Sequence, residues 1–465
     1  MVKVNADGSF SWAYTVGGDA GKEDATGVAI AGDGTIVVAG GFQGTVDFDP
    51  TDGVDEHTCL GYDYRAFASF ITRLSGDGTY LGTVIQTGSG SVGANEMTLD
   101  RDGNILLVGS FDEGIDFDPG PGVVSDTGSS DIYVTKLAPD GQHLWTNTVG
   151  GYPAFDAGEE IAVDADGNVY ASGTFRGTVD FDPSDGVDRH SVVGSVDNLF
   201  VTKYYADGSY AWTRTYDTGS FGIAATPDGG VLVGGPAWLT KLNADGSTAG
   251  AYAPQSDSGG AAPNGLAVGE DGTIFVAGYY NETIDFDPGR GVDLRTSQGG
   301  DDVLVLKLHA DLSYAWARTF GGPRNDACKA LALGADGAIY AAGSYREYDP
   351  PDPPTDLDPG CETDNVRAHH VGRSDTFIVK LVCPELSADY DGNGVTDLRD
   401  AAELQRCFTD PGPAVCGDGC SRLDLDPDDD IDLTDYAAFC KRLRGPQGRY
   451  PSSPDAPISP QRLKP

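Results

Sequence analysis

Gly173-Thr174-Phe175-Arg176-Gly177-Thr178-Val179-Asp180-Phe181-Asp182-Pro183 sits between two strand-like runs, 168–171 and 199–204. The phrase recurs at 41–50, 109–119, 278–288 and, eroded, at 343–359. Five occurrences in one context mark an internal repeat, and the repeat decides the fold.

Around the phrase, each full repeat holds four strand signals. The first is an apolar run (27–30, 96–99, 160–163, 222–225, 265–268, 330–333). The second follows an Asp-Gly (35–39, 104–108, 168–171, 230–233, 273–277, 338–342). The third ends in a basic-apolar pair (70–74, 132–137, 199–204, 238–242, 303–308, 377–381). The fourth often holds tryptophan (80–85, 143–148, 210–215, 248–253, 314–319). These runs are short, rich in Val, Ile and Tyr, and bounded by Gly, Asp and Asn, as strands are. Tight glycine turns suit hairpins between strands one and two and between three and four. Strands two and three are joined by the long Asp-Phe-Asp-Pro phrase, and strands four and one by Gly-Gly segments such as 150–158.

Four antiparallel strands repeated around a ring make a β-propeller. The count predicts a mainly β chain with six four-stranded blades over residues 1–382. The sixth fourth strand comes from the other end of the chain, 10–15, with Trp12 in the tryptophan position. It is expected to close the last blade beside 377–381 and so remove an open edge. A seven-bladed parent, truncated upstream, is the alternative, because residues 1–4 repeat a third strand that a closed ring does not need. The chain begins in mid-repeat without a signal peptide, which points to a lost leader.

The formal charge of −42 argues against nucleic acid and anionic membrane surfaces, and favours cations or basic partners. No stretch is apolar enough to span a membrane. Cysteines 59, 328, 361, 383, 407, 416, 420 and 440 include no CxxC pair, so disulfides in an oxidising compartment are expected rather than zinc.

After a connector at 383–388, two acidic twelve-residue phrases each precede a helix-like segment. Calcium needs several hard oxygen ligands in a flexible loop, and this spacing supplies them. In the first loop the ligands are Asp389, Asp391, Asn393, the Val395 carbonyl, Asp397 through water, and Asp400, with Gly394 at the turn. In the second they are Asp424, Asp426, Asp428, Asp430, Asp432 and Asp435, with Asp429 in place of the turn glycine. Two calcium ions are expected here. The tail 446–465 is Pro-rich and expected to be disordered.

Two parts of the chain resemble known families. Ile161-Ala162-Val163-Asp164, Gly167-Asn168-Val169-Tyr170, Gly177-Thr178-Val179-Asp180-Phe181-Asp182-Pro183 and Val134-Thr135-Lys136-Leu137 resemble the bacterial SBBP propeller repeats, over most of 1–382. That resemblance implies a secreted or surface-associated protein and says more of fold than of function. The paired loops at 389–445 resemble a dockerin module, which implies a cohesin-like protein partner. Leu398-Arg399 and Leu433-Thr434 hold the usual partner-contact places, unlike the Ser-Thr pair of cellulosomal members.

In the propeller, the two-to-three and four-to-one loops emerge on one face. That face gathers Asp47, Asp49, Asp116, Asp118, Asp180, Asp182, Asp285, Asp287, Asp356 and Asp358, with Asp24, Asp156 and Asp326 from the Gly-Gly segments and Asp131, Asp197, Asp301 and Asp375 before the third strands. These could hold further metal ions or a cationic or sugar ligand, but so regular a repetition favours carboxylates that fix turns. The fourth repeat lacks the phrase (Gly234-Gly235-Pro236-Ala237), which leaves room for a groove, and Trp238 beside it is a ligand candidate. Trp12, Trp145, Trp212 and Trp316 share one repeat position and read as packing between blades. His57, His143, His190, His309, His369 and His370 share no repeat position and suggest no relay. No nucleophile motif or phosphate loop is present, so no catalytic residue is assigned. The sequence reads as an extracellular, non-catalytic binding scaffold, attached to an assembly or cell surface by a calcium-dependent dockerin-like module. The alternative is a secreted carbohydrate-active enzyme, a glycoside hydrolase or polysaccharide lyase, on the same propeller.

Overall fold

The computed structural model describes residues 1–381 except 6–8, 19–20, 62–65, 121, 124, 152–154, 193–196, 218–221, 236–237, 290, 335–336, 347–354, 357–364 and 367–373. The connector, both acidic loops, the tail and six of the cysteines (361, 383, 407, 416, 420, 440) lie outside the described residues. The chain divides into two units, Met1–Leu333 with Tyr340–Leu357 and Val366–Val379, and Gly334–Ile339 with Asp358–Asn365 and Lys380–Pro465. The strands belong to the first unit, apart from Ile339, Asn365, Lys380 and Leu381 at strand ends.

The described residues form strands and turns, with no helix among them. Successive repeats build successive antiparallel sheets in the expected strand order. The third sheet joins Ala157–Val163, Val169–Phe175, Asn198–Tyr204 and Tyr210–Tyr216. The fourth joins Ile223–Ala225, Val231–Gly235, Trp238–Leu242 and Thr248–Tyr252, and the fifth Ala261–Val268, Ile274–Tyr280, Asp302–Leu308 and Tyr314–Phe320. The first (Glu23–Ile30, Ile36–Phe42, Ala68–Leu74, Tyr80–Gly88) and second (Val92–Leu99, Ile105–Asp116, Ser125–Leu137, His143–Val149) are bridged where Ile115 pairs with Gly88 and Asp116 with Thr87. A sixth holds three strands, Ala327–Leu333, Ile339–Arg346 and Ser374–Leu381.

The sequence explains the hairpins. Gly167, at φ +80°, takes a left-handed turn that a Cβ would oppose, and donates its N–H to the Asp164 carbonyl at 3.0 Å. The Asp164 carboxylate accepts from the amides of Asp166 and Asn168 at 3.0 and 2.9 Å, which closes the turn.

The second strands of the first five sheets are largely buried, Ile36–Phe42 throughout, because apolar residues on both faces are covered. The cores lie between neighbouring sheets. Leu106, Val108 and Val134 of the second sheet pack with Ile161, Val169 and Ala171 of the third. Tyr170, Leu199 and Val201 of the third pack with Ile223, Val231 and Val233 of the fourth. The first strands of successive sheets adjoin one another from the first sheet to the sixth. Each of four carries a β-bulge whose extra residue is Thr26, Asn95, Glu159 or Asn264. Three of these side chains bond the next sheet's first strand: Thr26 Oγ1 to Ala94 O at 2.8 Å, Asn95 Nδ2 to Gly158 O and Asn264 Nδ2 to Cys328 O, both at 2.7 Å.

The shared tryptophans pack between sheets, as expected. A Cβ built on Gly78, Gly208 or Gly246 would lie 2.8 Å from the ring of Trp12, Trp145 or Trp212 respectively. Each ring therefore rests on the turn glycine of the following sheet. Between the fourth and fifth sheets the pair is inverted. Gly250 takes the tryptophan position, and Leu312 replaces the turn glycine at φ +68°. A Cβ on Gly250 would lie 3.1 Å from Leu312 Cδ1, so large and small residues have changed places across the seam.

Two expectations are corrected. Phe10–Ala13 does not complete the sixth sheet. It pairs with Val2–Val4, with Lys3 opposite Trp12 as Lys136 is opposite Trp145 and Lys203 opposite Trp212. Val2–Val4 has the third-strand pattern and is a few residues away, so its loop closes at far lower entropic cost than pairing with Ser374–Leu381. Among the described residues Cys59 and Cys328 are free thiols, so the disulfide expectation is corrected for these two alone; Cys328 is buried within 3.4 Å of the Ala330 and Ala342 carbonyls.

Gly250→Trp should destabilise the protein by about 1–3 kcal/mol, because the indole meets Leu312. Adding Leu312→Gly restores the repeat's own pair and should recover most of that loss in urea unfolding. Equal stability of the single and double variants would refute the inverted packing.

Candidate functional site

The Asp-Phe-Asp-Pro phrases are small hairpins rather than open loops. In the first repeat Thr45–Asp47 pairs with Glu56–Thr58, in the third Thr178–Asp180 with Arg189–Ser191, and in the fifth Thr283–Asp285 with Leu294–Thr296. In the second, the same hairpin is continuous with Ile105–Asp116 and Ser125–Leu137. Phe48, Phe117, Phe181 and Phe286 are fully buried, so the phrase is pinned by its aromatic residue. Phe181 meets Phe175 edge-on at 5.2 Å and Phe200 at 5.1 Å.

The carboxylates are turned into their own loops. Asp47 Oδ1 accepts from the amides of Asp49 and Asp55 at 3.1 and 2.8 Å; Asp285 Oδ1 does the same for Asp287 and Asp293 at 3.0 and 2.9 Å. Asp180 Oδ1 accepts from Asp188 N at 2.8 Å, and Asp116 Oδ1 from Asp118 N at 3.1 Å. The second aspartates act one step on: Asp49 takes the amide of Thr51 and Asp182 that of Ser184, both at 2.9 Å. This is the turn-fixing role. The Gly-Gly segments are held likewise. Buried Asp156 accepts from Gly151 N and Arg176 N at 3.0 and 2.9 Å, and buried Asp326 from Gly322 N and Arg346 N at 2.7 and 3.0 Å. Asp24 is exposed; there Glu23 Oε1 takes the Gly18 amide at 3.3 Å. Asp197 pairs with Arg176, and Asp301 accepts from Asn281 and Asn325, both at 2.9 Å. Asp356 is in a short strand and Asp358 lies outside the described residues.

In the first, third and fifth repeats a tyrosine at the start of the fourth strand anchors the hairpin. Tyr80 donates to Asp55, Tyr210 to Asp188 and Tyr314 to Asp293. Burial, then bonding to the aspartate, pushes all three phenols upward. The histidine expectation is corrected here. His57 pairs with Val46 and His190 with Val179, so the two share a repeat position that Arg295 fills in the fifth. His57 Nε2 lies 3.1 Å from Asp55 and His190 Nε2 3.3 Å from Asp188. Each ring also meets its hairpin's phenylalanine edge-on. Counting from the phrase gives the same equivalence: His57, His190 and Arg295 each lie ten residues after Asp47, Asp180 and Asp285.

The tips of these hairpins are apolar. Val54, Val123, Val187 and Val292, each at or near the end of its loop, are 75, 74, 68 and 70 % exposed. Each of these hairpins thus turns its phrase aspartates onto its own amides and leaves one valine exposed, beside exposed charges such as Asp52 and Asp185.

The seam between the fourth and fifth sheets differs. A cavity of about 440 Å³ opens there, lined by Ala251, Tyr252, Ala253, Asp287, Pro288, Gly289, Leu312, Ser313 and Tyr314. It follows from the small residues Gly250, Ala251 and Ala253 on the fourth strand. Trp238, proposed from sequence as a ligand contact, is spent on packing. Its N–H donates to Ala261 O at 2.9 Å and its ring meets Tyr252 edge-on at 5.5 Å. It holds φ +69°, a strained value for tryptophan.

Sequence reading missed one pair altogether. Glu96 and Glu160, on the adjoining first strands of the second and third sheets, are half-buried and bear on each other electrostatically, with the Ile161 amide donating to Glu96 Oε2 at 3.4 Å. Burial, followed by the neighbouring Glu96 charge, pushes Glu160 up to about 9; burial raises Glu96 as well. Aligning the repeats on their Asp-Gly turns puts Gly27, Gly222, Gly265 and Ala330 at the same position elsewhere, and that column was the available signal.

The calcium ligands Asp389, Asp391, Asn393, Val395, Asp397, Asp400, Asp424, Asp426, Asp428, Asp430, Asp432 and Asp435 lie outside the described residues. Among the described residues, no group of three or more His, Cys, Asp or Glu side chains is arranged to hold a metal ion. Among them, too, no helix is long and apolar enough to cross a membrane.

No known family and no curated protein matches the chain in sequence. Among solved structures it is similar to a protein of unknown function from Bacteroides caccae, at 10% identity and TM-score 0.25, over 63% of this chain and 92% of that one. It is also similar to a puromycin hydrolase, at 12% identity and TM-score 0.25, over 72% of this chain and 59% of that one.

Two further buried carboxyls give a pH prediction. Burial raises Asp302 to about 7 and Asp156 to about 6. Each binds its proton more tightly folded than unfolded, so its contribution is full below about pH 4 and is lost as pH rises through 6–7. Tm should therefore fall between pH 5 and 8, and Asp302→Asn should flatten that slope. An unchanged slope in the variant would count against the assignment.

Proposed function

We propose that this chain is an extracellular, non-catalytic binding scaffold: a six-bladed β-propeller followed by a calcium-loaded dockerin-like module at 389–445. The module docks on a cohesin-like protein and fixes the scaffold to an assembly or surface. The observation that carries the reading is the valine array. Four equivalent hairpin tips each present an aliphatic side chain 68–75 % exposed, while the flanking aspartates bond inward. Scattered apolar residues are ordinary on any surface, but one at the same place in four repeats makes a multivalent contact surface. The sheets in series support the propeller, because each buries the face its neighbour leaves open. The broken fourth–fifth seam, with its cavity, is the seat on this surface for a ligand that enters between repeats.

The enzyme alternative draws less support. Its obvious acid–base pair would be Glu96 and Glu160, but these carboxyls are close enough to couple strongly to each other. Glycosidases hold theirs about 5 Å apart or more, leaving room for the sugar or water.

The full chain should release no reducing ends from a polysaccharide panel. It should bind a cell-surface fraction at low ionic strength, and Val54→Asp, Val187→Asp and Val292→Asp together should weaken that binding tenfold or more. Turnover abolished by Glu160→Gln would overturn the reading in favour of the enzyme.

A further inference from the structure

Glu96 and Glu160 occupy one column of the repeat, beside the bulge of the first strand, where the other repeats have Gly27, Gly222, Gly265 and Ala330. A long acidic side chain is thus absent from every seam except this one. The strands Val92–Leu99 and Ala157–Val163 that carry the pair adjoin each other. The Ile161 amide of the third sheet also donates to Glu96 Oε2 of the second, at 3.4 Å. Asn95 Nδ2 reaches Gly158 O at 2.7 Å close by, so the seam is bonded on both sides of the pair.

Two half-buried carboxyl groups brought together across adjoining strands strongly disfavour a second charge, and a shared proton supplies the donor that two carboxylates lack. We propose that Glu96 and Glu160 hold one proton between them as a staple across the seam between the second and third sheets, and that loss of the proton releases the seam.

The surroundings offer no substitute. The ionised neighbour that bears on the pair is Glu159, which is negative and accepts from Thr174 Oγ1 at 3.2 Å. Of the strands packed against the two, Ile36–Phe42, Val169–Phe175 and Ile223–Ala225 carry no charge. On Ala68–Leu74, Arg73 reaches Pro139 O at 3.1 Å. On Ser125–Leu137, Lys136 is paired with Asp100 at 2.9 Å, Asp126 takes the Thr148 hydroxyl, and Asp131 is the remaining acid. On Ile105–Asp116, Asp112 takes the Ser91 amide, Asp116 that of Asp118, and Glu113 is the remaining acid. On Glu23–Ile30 the charges are Glu23 and Asp24, both negative. No cation is placed to neutralise a second carboxylate. The step is a simple acid–base one: the shared proton passes to bulk base, two half-buried carboxylates are left in contact, and their repulsion parts the first strands.

The sign follows from linkage. The folded pair binds a proton that the unfolded chain has released above about pH 4.3, so its contribution falls as pH rises and is gone once the folded pair has titrated. Glu160→Gln keeps a donor facing Glu96 and removes the titration. The full chain, with carbon-13 in its glutamate carboxyls, should show one midpoint above pH 7 that disappears in Glu160→Gln. Between pH 7 and 10, exchange of the Ile161 amide, corrected for base catalysis, should rise at least tenfold in the wild type and stay level in the variant. If Glu160→Gln does not fold, Glu96→Gln provides the same comparison. Every glutamate midpoint lying below pH 6 in the wild type, or parallel exchange profiles, would overturn the proposal.

Discussion

The second and third strands of the first five sheets are buried on both faces over most of their length, and that is the constraint on which the rest depends. A strand such as Ile36–Phe42, buried throughout, cannot sit at a surface. A sheet of this kind is unstable until neighbours cover it, so the repeats fold as a series or not at all. The seams accordingly hold most of the specific contacts. Tryptophan rests on the next sheet's turn glycine, bulged Thr and Asn side chains bond the next first strand, and aliphatic clusters fill the space between. The inversion at Gly250 and Leu312 shows that the seam conserves volume rather than residue type.

The hairpins solve a different problem. A loop of this length brings a row of backbone amides to the protein's edge, where each needs an acceptor. The repeated aspartates supply it. Because the same carboxylates are engaged locally, much of the acidic charge of this surface is a consequence of building turns. What is left to meet a partner is the valine at the tip and the one seam where the repeat fails.

Strand order and the packing role of the tryptophans were legible in the sequence, because both depend on local alternation and on a phrase that repeats. The burial of Phe48 and its equivalents was legible for the same reason. Other features depend on register, which a linear reading does not supply. His57 and His190 are an exception, overlooked although each lies ten residues after the first aspartate of its phrase. Glu96 and Glu160 come from different repeats, and only stacking those repeats makes them neighbours. Phe10–Ala13 was assigned to the wrong partner because two segments carry the same third-strand pattern, and the nearer one wins on loop entropy. Trp238 looked available because a gap in the phrase suggests open space, whereas the indole fills it.

The hairpin aspartates bond the amides of their own turns, and one measurement tests most directly whether that is their whole role. It is calcium titration calorimetry on the full chain in which Asp389, Asp391, Asp424 and Asp426 are all replaced by alanine. Turn-fixing carboxylates predict that no calcium heat remains and that Tm is the same in calcium and in chelator. Residual binding of several ions, lost on adding Asp47→Asn and Asp180→Asn, would contradict that role.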